Sequence, residues 1–111
     1  MNLEQQRIEL CNELNVTIKS LAKYGNELAK AEYEYKIAVN QKALQLKEDG
    51  LASTLINLVI YGYKDIAQLR LKRDIAESMR NVALESVNSI KLQLRLIENQ
   101  ISREYSSQNN L

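Results

Sequence analysis

Four charged side chains in the second half of the chain have a spacing that could bind an anion. Arg70, Arg73, Glu77 and Arg80 are separated by three, four and three residues, so they share one face of a helix. Guanidinium groups grip phosphate or carboxylate through paired hydrogen bonds. The same pattern is typical of solvated ion pairs along the margin of an apolar stripe. Both interpretations stay open.

A tyrosine-containing segment in the first half could complete such a site. The stretch EYEYK, residues 32–36, places Tyr33 and Tyr35 on nearly opposite faces of a helix. Tyr35 shares its face with the apolar stripe, which leaves Tyr33 free to stack on a base. The hypothetical ligand-binding set, if the two halves face each other, is Tyr33, Lys36, Asn40, Arg70, Arg73 and Arg80.

Other kinds of chemistry have little support. The chain has no histidine and one cysteine, Cys11, so neither a Cys–His nucleophile nor an internal disulfide is expected. No glycine-rich phosphate loop or metal-ligand spacing is present. Fifteen basic and fourteen acidic residues give a net charge of +1, which argues against nucleic-acid binding. We therefore expect no enzyme, no cofactor and no metal.

The same composition indicates where the protein works. A lone cysteine suits a reducing compartment. The N-terminal residues lack a basic segment followed by an apolar run, and no stretch approaches the roughly eighteen apolar residues of a membrane helix. We expect a cytoplasmic protein without a membrane partner.

The elements that carry these residues are predicted to be long helices. The chain has no proline and only three glycines, Gly25, Gly50 and Gly62. Apolar residues recur at heptad-like spacing on both sides of residues 50–63. The pattern predicts one helical domain, residues 1–111, consisting of a helix over 1–48 with a possible bend at Gly25, a connector over 50–63 containing a short helix, a helix over 64–105, and a flexible tail over 106–111.

The fold class that follows is all-α, a long antiparallel hairpin with a short helix at its connection. We predict a register in which Ala31 lies near Val82 and Ala38 lies near Ala76 or Ile75. The apolar stripes are broader than a two-helix seam needs. The hairpin is therefore expected to oligomerise into a helical bundle, as a dimer or a higher oligomer.

The connector GLASTLINLVIYGY, residues 50–63, carries no charge. Ser53 and Thr54 are capping types, and Gly62 can end a short helix. A helix that is apolar on all sides is normally buried, so it could plug the end of the bundle. Alternatively it could dock onto another protein through an exposed patch. The hypothetical partner-binding set is Leu55, Ile56, Val59, Tyr61 and Tyr63.

Residues 31–78 resemble small helical proteins encoded by phages and prophages of low-GC Gram-positive bacteria. The shared pattern is a long helix, a charged residue before glycine, a Thr-Leu-Ile segment, a second glycine, and a helix with a Lys-Arg-Asp run. The residues that carry it are Glu48, Gly50, Thr54, Leu55, Ile56, Gly62, Lys72, Arg73 and Asp74. The resemblance implies a phage context, and with it a location in the cytoplasm of the host cell, but no particular chemistry.

Three functions fit these observations. The first is a non-enzymatic phage accessory protein that binds and inhibits or sequesters a host factor, for example in anti-defence. The second is a sponge for a nucleotide-type signalling molecule, held in an arginine-lined oligomer pocket. The third is a virion scaffold or assembly spacer. The expected partners are a second copy of the chain and either a host protein or a nucleotide-type small molecule.

Overall fold

The structure, a computed structural model, describes residues 1–109. It contains helix α1 (Leu3–Glu48), helix α2 (Ser53–Val59), a single 3-10 turn (Ile60–Gly62) and helix α3 (Lys64–Asn109), and no strand occurs in this part of the chain. The all-α hairpin with a short connecting helix is thereby confirmed. Its assembly into a bundle remains a prediction.

Helix α1 begins with a reciprocal cap. The backbone N–H of Gln5 donates to Asn2 Oδ1 over 2.8 Å, and the backbone N–H of Asn2 donates to Gln5 Oε1 over 3.1 Å. This exchange satisfies N–H groups that the first turn leaves without helical partners. The helix then passes through Gly25 without interruption to Glu48.

Helix α1 ends at the predicted glycine. Gly50 has a φ of 94°, the left-handed conformation expected just beyond the last turn. The N–H of Leu51 donates to the carbonyl of Leu46, and the N–H of Gly50 donates to that of Lys47, each over 3.0 Å. Leu51 also packs against the cluster that contains Leu46. Together these contacts form a Schellman motif, which reverses the chain into the connector.

Substituting this glycine is expected to weaken the fold. In Gly50→Ala the added Cβ meets no neighbouring atom, so the cost comes from the left-handed backbone alone. We expect the free energy of unfolding to fall by about 1 kcal/mol. Gly25→Ala is the matched control: its site is equally open, but it lies inside α1, where alanine is favoured over glycine. Urea denaturation followed by circular dichroism would measure both, and a Gly50→Ala protein as stable as Gly25→Ala would contradict the expectation.

The chain groups into two compact units, one of which is Tyr24–Arg80. In this unit Lys72 Nζ lies 3.0 Å from Glu34 Oε2, and Lys42 Nζ lies 3.1 Å from Asp65 Oδ2. These pairs show that α1 and α3 run antiparallel here.

The ion pairs correct the predicted register. Ala31 lines a groove with Ile75 and Ala76, about six positions along α3 from the predicted neighbour Val82. The prediction assumed that the end of α1 and the start of α3 lie at the same level. Instead α1 continues to Glu48 while α3 already begins beside Lys42, because the connector folds back over the end of α1.

The connector packs on α1 through one side. Ile56 and Ile60 are buried with Leu46, and four partly buried residues complete the cluster: Val39, Ala43, Leu51 and Val59. The residue that precedes α2 is Ala52, and its side chain makes no capping hydrogen bond. The expectation that Ser53 or Thr54 would cap this helix is therefore wrong. Helix α2 itself already ends at Val59, before the predicted Gly62, which is instead the last residue of the 3-10 turn.

The second compact unit consists of Met1–Lys23 together with Asn81 to the C-terminal end. Helix α3 contributes its buried residues, which are Ala83, Val87, Ile90 and Leu94. Helix α3 continues to Asn109, beyond the predicted end at residue 105, so part of the predicted tail over 106–111 is helical. Residues 110 and 111 lie outside the described residues.

Within Tyr24–Arg80, the inward face of α3 carries both apolar and charged side chains. Its inward positions at heptad spacing are Ile66, Leu69, Arg73, Ala76 and Arg80, all buried or half-buried. Ile75 and Met79, two large apolar residues of the same part of α3, remain 55% and 41% exposed. Two arginines thus occupy inward positions while two large apolar side chains face out.

Candidate functional site

Three cation–aromatic contacts lie within Tyr24–Arg80. Lys42 Nζ is 4.9 Å from the centre of the Tyr63 ring, and the Arg70 guanidinium carbon is 5.5 Å from that of Tyr61. The third contact joins the Arg73 guanidinium carbon to the Tyr35 ring, at 4.8 Å. All three distances are within the range in which a ring face attracts a cation. They connect α1, α3 and the end of the connector.

Arg73 is the most engaged of these cations. Its Nε and Nη2 donate to Asp74 Oδ1 over 3.1 and 2.8 Å. The carboxylate of Asp74 raises the pKa of the Arg73 guanidinium above its usual value. The group is therefore a permanent cation, with one side on the Tyr35 ring and one edge on a carboxylate.

Lys42 makes a second mixed contact. Its ammonium group lies between the Tyr63 ring and the carboxylate of Asp65, in the first turn of α3. The hydrogen bond from Lys42 lowers the pKa of the Asp65 carboxyl group below its usual value. A negative charge in the first turn also complements the positive end of the helix dipole. Asp65 thus helps to fix where α3 starts.

The ligand-binding residues predicted from the sequence are only partly brought together. Tyr33 is 68% exposed on the outer side of α1, and Lys36 and Asn40 are also exposed. The tyrosines that approach the arginines are Tyr35 and Tyr61 instead.

Arg80 is half-buried and makes contacts of its own within the described structure. The heptad position of Tyr35, opposite the inward lane of α3, was the signal that could have indicated its pairing with Arg73.

The connector presents a second candidate site, which we call the tip patch: Leu55, Leu58, Tyr61 and Tyr63. Leu58 is 81% exposed, and the other three are also exposed. Leu58, Val59, Gly62 and Tyr63 line a shallow depression. Of the predicted partner-binding set, Ile56 is buried and Val59 is half-buried. Both are therefore less accessible to a partner than Leu58, which the set did not include. Leu58 was missed because composition alone does not show which side of a short apolar helix packs inward.

An apolar groove lies elsewhere on Tyr24–Arg80 and has a volume of about 290 Å³. Its floor and one wall are apolar, and charged side chains surround them. The residues that line it are Glu27, Lys30, Ala31, Glu34, Lys72, Ile75, Ala76 and Met79. We call this surface the α1–α3 groove.

Within residues 1–109, no group of three or more histidine, cysteine, aspartate or glutamate side chains could hold a metal ion. Within the same residues, no helix has the length and apolar character needed to cross a membrane.

Comparison with known protein families, curated proteins and solved structures finds no match to this chain.

Proposed function

We propose that this chain is a non-enzymatic binding protein that docks onto another protein through the tip patch. The observation that carries the proposal is the division of the connector into two sides. Ile56 and Ile60 anchor it on α1, while Leu55, Leu58 and Tyr61 face outward. An apolar patch held on a packed support is typical of protein interaction sites.

The chemistry of the tip patch suits a protein partner. Tyrosine and arginine are enriched among the residues that dominate binding energy, and Arg70 lies over the Tyr61 ring beside the patch. A partner that complements it would offer a small apolar pocket for Leu58 and a carboxylate for Arg70. The resemblance of residues 31–78 to phage proteins suggests a host factor as that partner, inhibited or sequestered as part of anti-defence.

The nucleotide-sponge alternative draws less support from the geometry. The Arg73 guanidinium already donates to the Asp74 carboxylate and lies over the Tyr35 ring, so a phosphate would have to compete with both. Tyr33, the residue expected to stack on a base, lies on the outer side of α1. The scaffold alternative has no specific observation in its favour. Docking through the tip patch is therefore the function that we put to the test.

The test compares the full chain with Leu58→Gln. Glutamine keeps the length of the side chain and the helix propensity but removes the apolar end. We expect the substitution to raise the dissociation constant for the captured partner by about tenfold to a hundredfold, as for an interface residue of central importance. Tagged protein would be exposed to a lysate of a low-GC Gram-positive bacterium, and the captured proteins would be quantified by mass spectrometry.

The matched control is Leu96→Gln, at an exposed leucine in the second half of α3 and in the other compact unit. A partner of the tip patch is retained by this variant and lost by Leu58→Gln. Binding of the purified partner would then be measured by calorimetry. Equal binding of all three proteins, or no protein that distinguishes them, would refute docking through the tip patch.

A further inference from the structure

We infer that the α1–α3 groove is the interface between two copies of this chain, related by a two-fold axis that crosses both helices. This inference does not depend on the proposed function, since the groove and the tip patch share no residue. The apolar stripes predict that the chain associates with itself, and the groove residues would form the interface.

The floor of the groove permits close approach of a helix. Ala31 and Ala76 have the smallest side chains in the lining, and small residues let helix backbones pack tightly. Ile75 and Met79, each about half exposed, lie four residues apart along one side of α3. A second copy of α3 would cover them, since its own Ile75 and Met79 form the same shape.

The charges around the groove identify a second copy as the occupant. The lining carries two carboxylates, Glu27 and Glu34, and two ammonium groups, Lys30 and Lys72. A partner with one sign of charge would meet repulsion from half of them, whereas a two-fold axis between Glu27 and Lys30 places each of these two side chains opposite the oppositely charged one of the other copy. Glu34 and Lys72 are paired within the chain, but neither Glu27 nor Lys30 has an ion-pair partner among the described residues.

A single axis satisfies both helices. From the Glu34–Lys72 ion pair, the midpoint of Glu27 and Lys30 lies about five to six residues back along α1. The midpoint of Ile75 and Met79 lies about five residues forward along α3. Since each residue rises 1.5 Å in a helix, the two midpoints lie at the same level to within about one residue. An axis at that level places Glu27 opposite Lys30 of the other copy and Ile75 opposite its Met79.

The inference is tested by charge reversal in the full chain. The two-fold axis creates two Glu27–Lys30 contacts between the copies. In Glu27→Lys both contacts join two basic side chains, and in Lys30→Glu both join two acidic ones. Each reversal therefore replaces two attractive contacts in the dimer by repulsive ones. We expect each single variant to raise the dimer dissociation constant by about tenfold. The double variant exchanges the two charges and restores attraction. An equimolar mixture of the two single variants is expected to form a heterodimer in preference to either homodimer.

Sedimentation velocity from micromolar to submillimolar concentrations measures these equilibria. Ile75→Gln is expected to weaken the dimer by about thirtyfold, because two half-exposed isoleucines lose their apolar contacts. Leu96→Gln is the control and should leave association unchanged. Far-UV circular dichroism confirms that each variant is helical, and the double reversal shows that loss of association is not loss of folding.

Three outcomes would overturn the inference. They are a wild-type protein that stays monomeric throughout this range, a dimer that is insensitive to Ile75→Gln, and single variants whose mixture associates no better than each alone. In the last case any dimer uses a different face. A dimer lost in Lys30→Glu with binding through Leu58 retained would establish the two surfaces as separate.

Discussion

Replacing Ile66 by alanine is expected to lower the free energy of unfolding by about 3 kcal/mol. Ile66 is 1% exposed, the most completely buried large side chain of the described residues. Truncation removes apolar contacts and leaves a cavity that two long helices cannot easily close. Equilibrium urea unfolding, followed by circular dichroism at a low protein concentration, would measure the loss.

Leu92→Ala provides the comparison, since Leu92 lies on the same helix with half of its side chain exposed. Leucine and alanine have similar helix propensities, so we expect a change within about 0.5 kcal/mol. Similar losses in both variants would show that Ile66 is not a core residue of the folded chain. Burial, and not residue type, is what separates the two expectations.

Removing the Tyr35 ring is expected to have an effect of similar size. Tyr35 is 8% exposed and lies beneath the guanidinium of Arg73. Tyr35→Ala loses the buried ring and leaves an inward-pointing cation without its aromatic contact, which together should cost about 3 kcal/mol. The free energy of unfolding, from the same urea experiment, is the quantity to compare.

Tyr35→Phe separates the ring from the hydroxyl group. Phenylalanine keeps the apolar ring and the face that attracts Arg73, so its stability should stay within about 1 kcal/mol of the wild type. If Tyr35→Phe were as destabilising as Tyr35→Ala, the hydroxyl would be the important group, and the contact with the ring would not be what stabilises Arg73 at its inward position. The pair of variants therefore tests why an arginine occupies an inward position of α3.

These core residues support the two surfaces that are proposed to bind a partner protein and a second copy of the chain. Ile66 and Tyr35 both belong to Tyr24–Arg80, the compact unit that carries the tip patch and the α1–α3 groove. Substitutions at Leu58, Lys30 or Glu27 alter exposed side chains and should change binding with little loss of stability. Binding defects that appear only together with unfolding would indicate a structural cause.

Several features of the fold could be predicted because they depend on local backbone chemistry. The absence of proline favours long helices, and the observed α1 and α3 each contain 46 residues. Gly50 was predicted to end α1 because only glycine enters the left-handed region at low cost, and its φ of 94° agrees. Gly62, by contrast, is the last residue of the 3-10 turn but does not adopt a positive φ, so its backbone freedom is not what ends the connector.

The candidate site was less accessible to such reasoning. The sequence indicated that Arg73 lies on a particular face of its helix, but its aromatic neighbour is Tyr35, not Tyr33. Periodicity defines directions around one helix and says nothing about the level at which a second helix passes. The misplaced register between α1 and α3 has the same origin, since it depended on how the connector folds back.

The sequence by itself determined that this protein is an all-α hairpin, with two long helices and a short one near Gly50 and Gly62, because each of these features depends on neighbouring residues and on backbone freedom. Only the tertiary structure decided that Lys42 meets Asp65, that Ile56 turns inward while Leu58 faces outward, and that Ile75 and Met79 flank an open groove. These outcomes depend on packing between segments far apart in the chain. Such packing is determined by the summed fit of many side chains and not by any local pattern.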